Sequence, residues 1–247
     1  AELGDERFRS GNYLLGLVAA SASLFACVWI AVGVPHVKPT EERRPGARRA
    51  IDLRLLRDYP SLRRLFLITG VGWFAIACLE GTFGRLISLR LGLGEQEFGW
   101  IFSYESLLGA GVSWFLLDWL SRRFREAPLL RTGYVFQGIG LAATPFAPAL
   151  GFLFLASTFF ALGVGVANPT INSLCSQAVP QPRQGEMFGL LQGVRSFGFV
   201  LGPTIGGALF DWHFAAPYLA AGGAAILASL LITAPKAATS ETGLASP

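Results

Sequence analysis

An apolar, glycine-rich segment at residues 185–207 places the strongest constraint on how this chain folds. Glycine costs about 1 kcal/mol relative to alanine in a water-exposed helix interior, so the segment would make a poor soluble helix. In lipid, small residues spaced four apart let a neighbouring helix approach closely. Two such rows are present: Gly185, Gly189 and Gly193, then Gly198, Gly202 and Gly206. The spacing predicts a tightly packed membrane helix, bent at Pro203, with Arg195 in its middle.

The composition is that of a protein with several membrane-spanning helices. Apolar residue types make up 52% of the chain and charged types only 15%, which a soluble domain of this length would not show. The net charge of +4 does not indicate nucleic-acid binding, because most basic residues stand in short runs between apolar segments. Cys27, Cys78 and Cys175 lie in apolar segments without a CxxC pair, so we expect no metal site and no cofactor.

Seven apolar spans follow one another along the chain. The predicted spans are residues 12–34, 65–88 and 96–120, a run over 132–179 that is divided at 145–148, the glycine-rich segment, and residues 217–233. The only sizeable hydrophilic gap, at 35–64, is a basic linker. Within it, apolar residues from Ile51 to Leu65 predict a short amphipathic helix along the membrane surface, interrupted at Pro60.

The distribution of basic residues predicts the orientation in the membrane. With the linker in the cytoplasm, Arg125, Arg131, Arg183 and Lys236 fall on the same side after successive crossings, as the positive-inside rule requires. We therefore expect a multi-pass protein of the plasma (inner) membrane, with the linker and the C-terminus cytoplasmic. Since the chain begins without methionine and lacks a signal peptide, we also expect a fragment whose true N-terminus lies upstream.

One span, a long linker and six spans with short loops form the layout of half a twelve-helix transporter, cut out with the last helix of the other half. Four sequence motifs support this: Leu79 to Phe83, Leu116 to Arg123, Gly163 to Pro169, and Gln184 to Gly207. On these motifs the chain resembles the major facilitator superfamily, most closely its bacterial drug:proton antiporters of the tetracycline-efflux type.

The resemblance implies an all-α polytopic membrane protein, a six-helix bundle of the major facilitator fold plus one extra transmembrane helix. It divides the chain into 1–34, the last helix of the N-terminal half; 35–64, the cytoplasmic linker; 65–235, the C-terminal bundle; and 236–247, a cytoplasmic tail. It also implies the missing N-terminal half as a partner. The residues that it assigns to helix packing and gating are Gly198, Gly202, Pro203, Gly206, Gly207, Asp118, Arg122 and Arg123.

Ionisable residues deep inside a span are candidates for function, because charge is unfavourable in lipid. Glu80 and Glu105 lie at like depth in successive spans, roughly 10 to 12 Å below the outer surface at 1.5 Å per residue. Two carboxyl groups that face one cavity repel each other when both are charged. One of them is therefore able to gain and lose a proton near physiological pH, as a proton-coupled carrier requires. We predict proton coupling at Glu80 first and Glu105 second; the alternatives are a hydrogen bond to a neighbouring helix and a position at a water-filled mouth.

Other polar residues of the spans are candidates for substrate binding. Arg195 lies nearer the inner half of its span, where it would attract an anionic substrate, pair with a carboxylate of the missing half, or extend to the inner surface. The remaining candidates are neutral amides, a residue type that also bridges helices. They are Gln192, Asn168, Asn172 and Gln137.

The sequence therefore predicts a secondary active transporter, and the resemblance implies export of hydrophobic small molecules or drugs against inward proton flow. Its predicted partners are a small-molecule substrate, protons and the lipid bilayer. Two alternatives stay open: an uptake or facilitative carrier for sugars or organic anions, and a membrane sensor or assembly partner without transport. We do not expect an enzyme, because no GxSxG, HExxH or phosphate-binding glycine motif is present.

Overall fold

The computed structural model of the protein describes residues 2–33 and 54–232, with side chains from residue 16 onward. The chain divides into two compact units, residues 1–50 and 51–247. In the first unit, α1 is one helix over Glu2–Gly33, and the side chains of residues 16–33 are all exposed. Most of the predicted linker and the whole predicted tail lie outside the described residues.

Residues 54–232 are helical throughout, with short connections. The helices are α2 (Arg54–Asp58), α3 (Pro60–Leu91), α4 (Glu95–Gly111), a π-helical segment (Val112–Leu116), α5 (Leu117–Arg123), α6 (Glu126–Ala143), a 3₁₀ turn (Thr144–Phe146), α7 (Leu150–Gln177), a second 3₁₀ turn (Gln181–Arg183), α8 (Gln184–Trp212) and α9 (Ala216–Leu230). The protein is an all-α polytopic membrane protein. By length and composition, three of the described helices are able to cross a membrane, at Gly16–Gly33, Pro60–Leu91 and Leu150–Gln177.

Local sequence signals set the helix boundaries. α3 begins at Pro60, five residues before the predicted start of the bundle, since proline fits the first position of a helix. Gly92 ends α3 in the left-handed conformation, with φ of 62°. At the start of α4 the Gly94 N–H donates to the Glu97 carboxylate at 2.9 Å. The predicted break at 145–148 is confirmed by the 3₁₀ turn between α6 and α7.

One of the two predicted glycine rows is a helix contact. α8 packs against α3, and a Cβ added at Gly198 would stand 2.9 Å from the Phe74 backbone nitrogen. A Cβ at Gly202 would collide with Ala77, which also lies on α3. By contrast, no atom lies within 4 Å of the Cβ position at Gly185, Gly189 or Gly193. The C-terminal half of α8 therefore packs against α3, whereas the glycines of its N-terminal half face open space. The helix continues through Pro203.

The prediction that Leu55, Leu62 and Leu65 lie along the membrane surface is wrong. Leu55 of α2 and Leu62 of α3 are fully buried, and Leu65 is nearly so. They pack into the interior at one end of the bundle, beside residues of α6, α7 and α8. Because Pro60 starts a new helix, the chain turns at Tyr59 and places these side chains under the bundle instead of along lipid.

Candidate functional site

Glu80 lies in the interior of α3 and is exposed. It stands eleven residues before the end of the helix at Leu91, about 16 Å along the axis. Within residues 54–232 its carboxylate has no hydrogen-bond or ion-pair partner. The next residue, Gly81, lies against α8, where an added Cβ would stand 3.0 Å from Pro203. Glu80 is therefore an unpaired acid beside a close helix contact.

Glu105 lies in α4 at a matching depth, ten residues after Glu95, but it is half-buried. Its carboxyl group interacts with the hydroxyl of Ser157 on α7, a side chain that is itself buried. The preceding residue, Tyr104, shares a 2.8 Å hydrogen bond with the Thr158 hydroxyl. The side chain of Glu105 is thus held in the contact between α4 and α7.

The structure brings the two acids together. The rings of Phe83 on α3 and Phe102 on α4 are in contact, with centroids 5.7 Å apart. Glu80 precedes Phe83 by three residues and Glu105 follows Phe102 by three, and residues three apart share a helix face. Because α3 and α4 run in opposite directions, both acids lie one turn deeper than the ring contact. Their carboxyl groups interact electrostatically.

Arg195 of α8 lies in a second polar cluster, between α3 and α7. Its Nη2 donates to the Asn172 side-chain oxygen at 2.5 Å, and its guanidinium carbon stands 5.4 Å from the centre of the Trp73 ring. The buried Nε of Arg195 and Nε1 of Trp73 have no hydrogen-bond acceptor in the part of the chain that the structure describes. No carboxylate pairs with Arg195 among the described residues.

Among the remaining candidates for substrate binding, one is buried in a helix contact and the others are more exposed. Gln137 of α6 is 2% exposed, and its amide donates to the Gly72 carbonyl at 3.1 Å. It therefore joins α6 to α3. Asn168 is half-buried one turn before Asn172, and Gln192 is exposed one turn before Arg195. The structure thus brings Asn172 and Arg195 into contact and places Gln137 in a helix contact, whereas Asn168 and Gln192 lie one turn away from that pair on their own helices.

The predicted packing and gating residues differ in their surroundings. Gly206 faces Cys78 of α3, with an added Cβ 3.2 Å from the sulfur, whereas nothing lies within 4 Å of that position at Gly207. Asp118 and Arg122 form an exposed 2.9 Å ion pair within α5, an interaction of about 0.5 kcal/mol. Arg123 is exposed beside them.

Local sequence patterns do not predict an ion-pair network that lies at one end of the bundle. Arg183, after α7, binds Asp58 of α2 at 2.8 Å and Glu186 of α8 at 3.2 Å, and it lies over the Tyr59 ring. The hydrogen bond that Arg183 donates to the Asp58 carboxylate raises the pKa of Arg183. Arg183 and Asp58 are 125 positions apart, and no local spacing predicts such a pair.

An open depression of about 580 Å³ lies on the face of α4 from Glu95 to Leu107, with Phe154 of α7 at its edge, and Glu105 does not line it. Its apolar wall includes Trp100, Tyr104 and Phe154, and the last two pack edge to face with centroids 5.2 Å apart. Within residues 54–232 and the described part of α1, no group of three His, Cys, Asp or Glu side chains is arranged for a metal ion.

Known proteins share both sequence and fold with this chain. The sequence model of the Major Facilitator Superfamily matches residues 65–245. Multidrug resistance protein MdtH of Proteus mirabilis is 22% identical over 203 residues, covering 81% of this chain and 49% of the relative. Quinolone resistance protein NorA of Staphylococcus aureus is 25% identical over 157 residues, covering 63% of this chain and 40% of the relative.

A solved structure has the same fold. The crystal structure of the human organic anion transporter MFSD10 (TETRAN) matches with a TM-score of 0.65 at 19% sequence identity. The match covers 78% of this chain and 43% of that one. The chain therefore spans about half the length, or less, of the proteins that it matches.

Proposed function

Because the chain belongs to the Major Facilitator Superfamily, we propose that the protein is a secondary active transporter that exports hydrophobic small molecules in exchange for protons. Glu80 is the group that carries the proton, and Glu105 is its neighbour in the same compartment. The chain's own part is the second half of the transporter.

The observation that carries the proposal is the unpaired, exposed carboxylate of Glu80 within a membrane helix. A carboxylate that faces lipid at this depth is strongly unfavourable, so its exposed side belongs toward a water-filled compartment. There it takes up a proton from one side of the membrane and releases it to the other. Glu105 is a second acid of the same compartment, since its helix meets α3 at the contact between Phe83 and Phe102.

Coupling to the transported compound follows from the helix contacts beside Glu80. Protonation from the outer side neutralises Glu80 and lets the outward-open compartment close; deprotonation on the inner side resets the carrier. α8 touches α3 at Gly81 through Pro203. A movement of α8 on compound binding therefore moves the backbone next to Glu80, and in this way binding and protonation affect each other.

The aromatic pair of Trp73 and the partly exposed Phe199, whose ring centroids are 5.4 Å apart, supports hydrophobic compounds as the substrate class. The names of MdtH and NorA, which refer to multidrug and quinolone resistance, agree with this choice. The inner membrane is the proposed location, with the 35–64 linker and the 236–247 tail in the cytoplasm. Residues 1–34 are then the last helix of the first half, and 65–235 the second bundle.

Flux in proteoliposomes that contain the full-length protein and an interior pH dye tests the proposal. Lipophilic cations, tetracycline-like compounds and aromatic acids are added in turn to the wild type, to Glu80→Gln, and to the matched control Glu95→Gln at the water-exposed start of α4. We expect compound-dependent proton flux in the wild type and the control, and background flux in Glu80→Gln. Unchanged proton-driven flux in Glu80→Gln would refute the role of Glu80, and compound flux without protons indicates a facilitator.

A further inference from the structure

The cluster around Arg195 contains two buried N–H groups that have no acceptor within residues 54–232. They are the Nε of Arg195 on α8 and the Nε1 of Trp73 on α3. A buried donor without an acceptor costs about 1 to 3 kcal/mol, and native structures contain few of them. Here two such donors occur together, since the guanidinium group lies over the Trp73 ring at 5.4 Å.

The charge of Arg195 is also uncompensated within residues 54–232. Its partners are neutral: the Asn172 amide oxygen, which accepts from Nη2 at 2.5 Å, and the Trp73 ring. Tyr134 and Cys175 lie close enough to interact with the guanidinium group, but the Tyr134 hydroxyl already donates to the Ile68 carbonyl at 2.8 Å. A guanidinium group inside a membrane bundle is unfavourable unless an anion pairs with it.

The cluster is next to open space. Arg195 itself is only partly buried, and Gln192, one turn before it on the same face of α8, is exposed. One turn further on, Phe199 is 39% exposed and its ring centroid is 5.4 Å from that of Trp73. Residues four apart share a helix face, so a cation and an exposed aromatic surface stand side by side.

We propose that Arg195, Asn172 and Trp73 bind the carboxylate of an aromatic acid, whose ring packs on Phe199. Arg195 supplies the charge and Asn172 orients the guanidinium group. A rotation of the guanidinium group off the Trp73 ring exposes Nε and the Trp73 Nε1, which then donate to the carboxylate oxygens. The inference rests on the proposed function and deepens it, because it names aromatic acids as a class of transported compound. The binding itself needs no proton movement.

A pair of probes of equal shape and different charge tests this site. Binding of 2-naphthoate and of the neutral 2-naphthamide is measured by calorimetry on the full-length protein in nanodiscs of zwitterionic lipid. We expect the naphthoate to bind at least about tenfold more tightly than the naphthamide, as charge-assisted hydrogen bonds require. Equal affinity for the two compounds overturns the proposal, and it is the result expected if a carboxylate elsewhere in the protein already pairs with Arg195.

Variants then assign the site to these residues. Arg195→Gln should remove the preference for naphthoate, Arg195→Lys should retain part of it, and Trp73→Phe, which keeps a ring but removes Nε1, should weaken naphthoate about threefold or more. Arg85→Gln, at the exposed ion pair with Asp211, is the matched control and should change nothing. A preference that survives Arg195→Gln contradicts the proposal.

Failure of this site and failure of proton coupling give different results. If naphthoate binding depends on Arg195 while no compound drives proton flux, the binding site holds and antiport fails. If compounds drive proton flux through Glu80 while naphthoate and naphthamide bind alike, antiport holds and the site at Arg195 fails.

Discussion

Glu80 and Glu105 are the same side chain at matching depth in neighbouring helices, yet their surroundings differ. Glu80 is exposed and has no partner within residues 54–232. Glu105 is half-buried and interacts with the buried Ser157 of α7. The difference teaches that depth alone does not define a proton site: an exchanging carboxyl group must reach water, whereas an acid held between helices fixes geometry and charge.

The helices that carry the two acids are held in different ways. α3 is fixed to α8 through the glycine row at Gly198, Gly202 and Gly206. α4 and its π-helical extension are fixed to α7, where an added Cβ at Gly165 would stand 3.1 Å from the Gly109 carbonyl and the Ser113 hydroxyl donates to the Gly165 carbonyl at 3.1 Å. Changes at α8 therefore act on Glu80, and changes at α7 act on Glu105.

The largest effect is expected from Gly202→Leu. Its side chain has no room against Ala77 and the α3 backbone, so the variant should lose about 3 kcal/mol or more and fail to give monodisperse protein. Gly207→Leu, on the same helix with nothing within 4 Å, is the control and should behave as wild type. Size-exclusion chromatography and thermal unfolding in detergent compare them; equal behaviour of both variants contradicts the packed α3–α8 contact.

Next in size is the difference between the two acids in proton flux. Glu80→Gln should reduce compound-driven flux about a hundredfold, whereas Glu105→Gln should reduce it about tenfold or less, since it removes a neighbouring charge and not the exchanging group. The double variant should match Glu80→Gln alone. If Glu105→Gln is the more damaging of the two, the roles assigned here are reversed.

A smaller effect is expected at Ser157. Ser157→Ala removes the polar contact to Glu105, which should cost about 1 kcal/mol of stability and a few-fold of flux. Ser157→Thr keeps the hydroxyl and should restore flux. Combining Ser157→Ala with Glu105→Gln tests whether the two residues act together, because the combined loss should then be smaller than the sum.

The smallest effect is expected at Tyr104. Tyr104→Phe removes its hydrogen bond to Thr158 but keeps the edge-to-face contact with Phe154, so thermal unfolding should report a loss of about 0.5 to 1 kcal/mol. Flux should remain near the wild-type value. A loss of flux as large as that of Glu105→Gln would assign the Tyr104 hydroxyl to the proton site itself.

Local patterns predicted much of this fold. Apolar runs and prolines predicted the helices and the break between α6 and α7, and spacing by four predicted the glycine row that meets α3. Equal depth in successive spans also suggested that Glu80 and Glu105 would be neighbours.

Long-range contacts lay beyond those patterns. Spacing by four does not tell which glycine row meets a helix, so Gly185, Gly189 and Gly193 were indistinguishable from the packed row. Burial of Leu55 and Leu62, and the contact of Glu105 with Ser157, depend on how distant helices pack, which periodicity along one helix does not contain.

Infrared difference spectroscopy of the full-length protein in lipid, as the pH is stepped through the physiological range, tests the central claim most directly. The account predicts a carboxyl C=O band that appears and disappears with pH in the wild type, in Glu95→Gln and in Glu105→Gln, and that is absent in Glu80→Gln. A band that persists unchanged in Glu80→Gln would contradict the claim that Glu80 exchanges the proton.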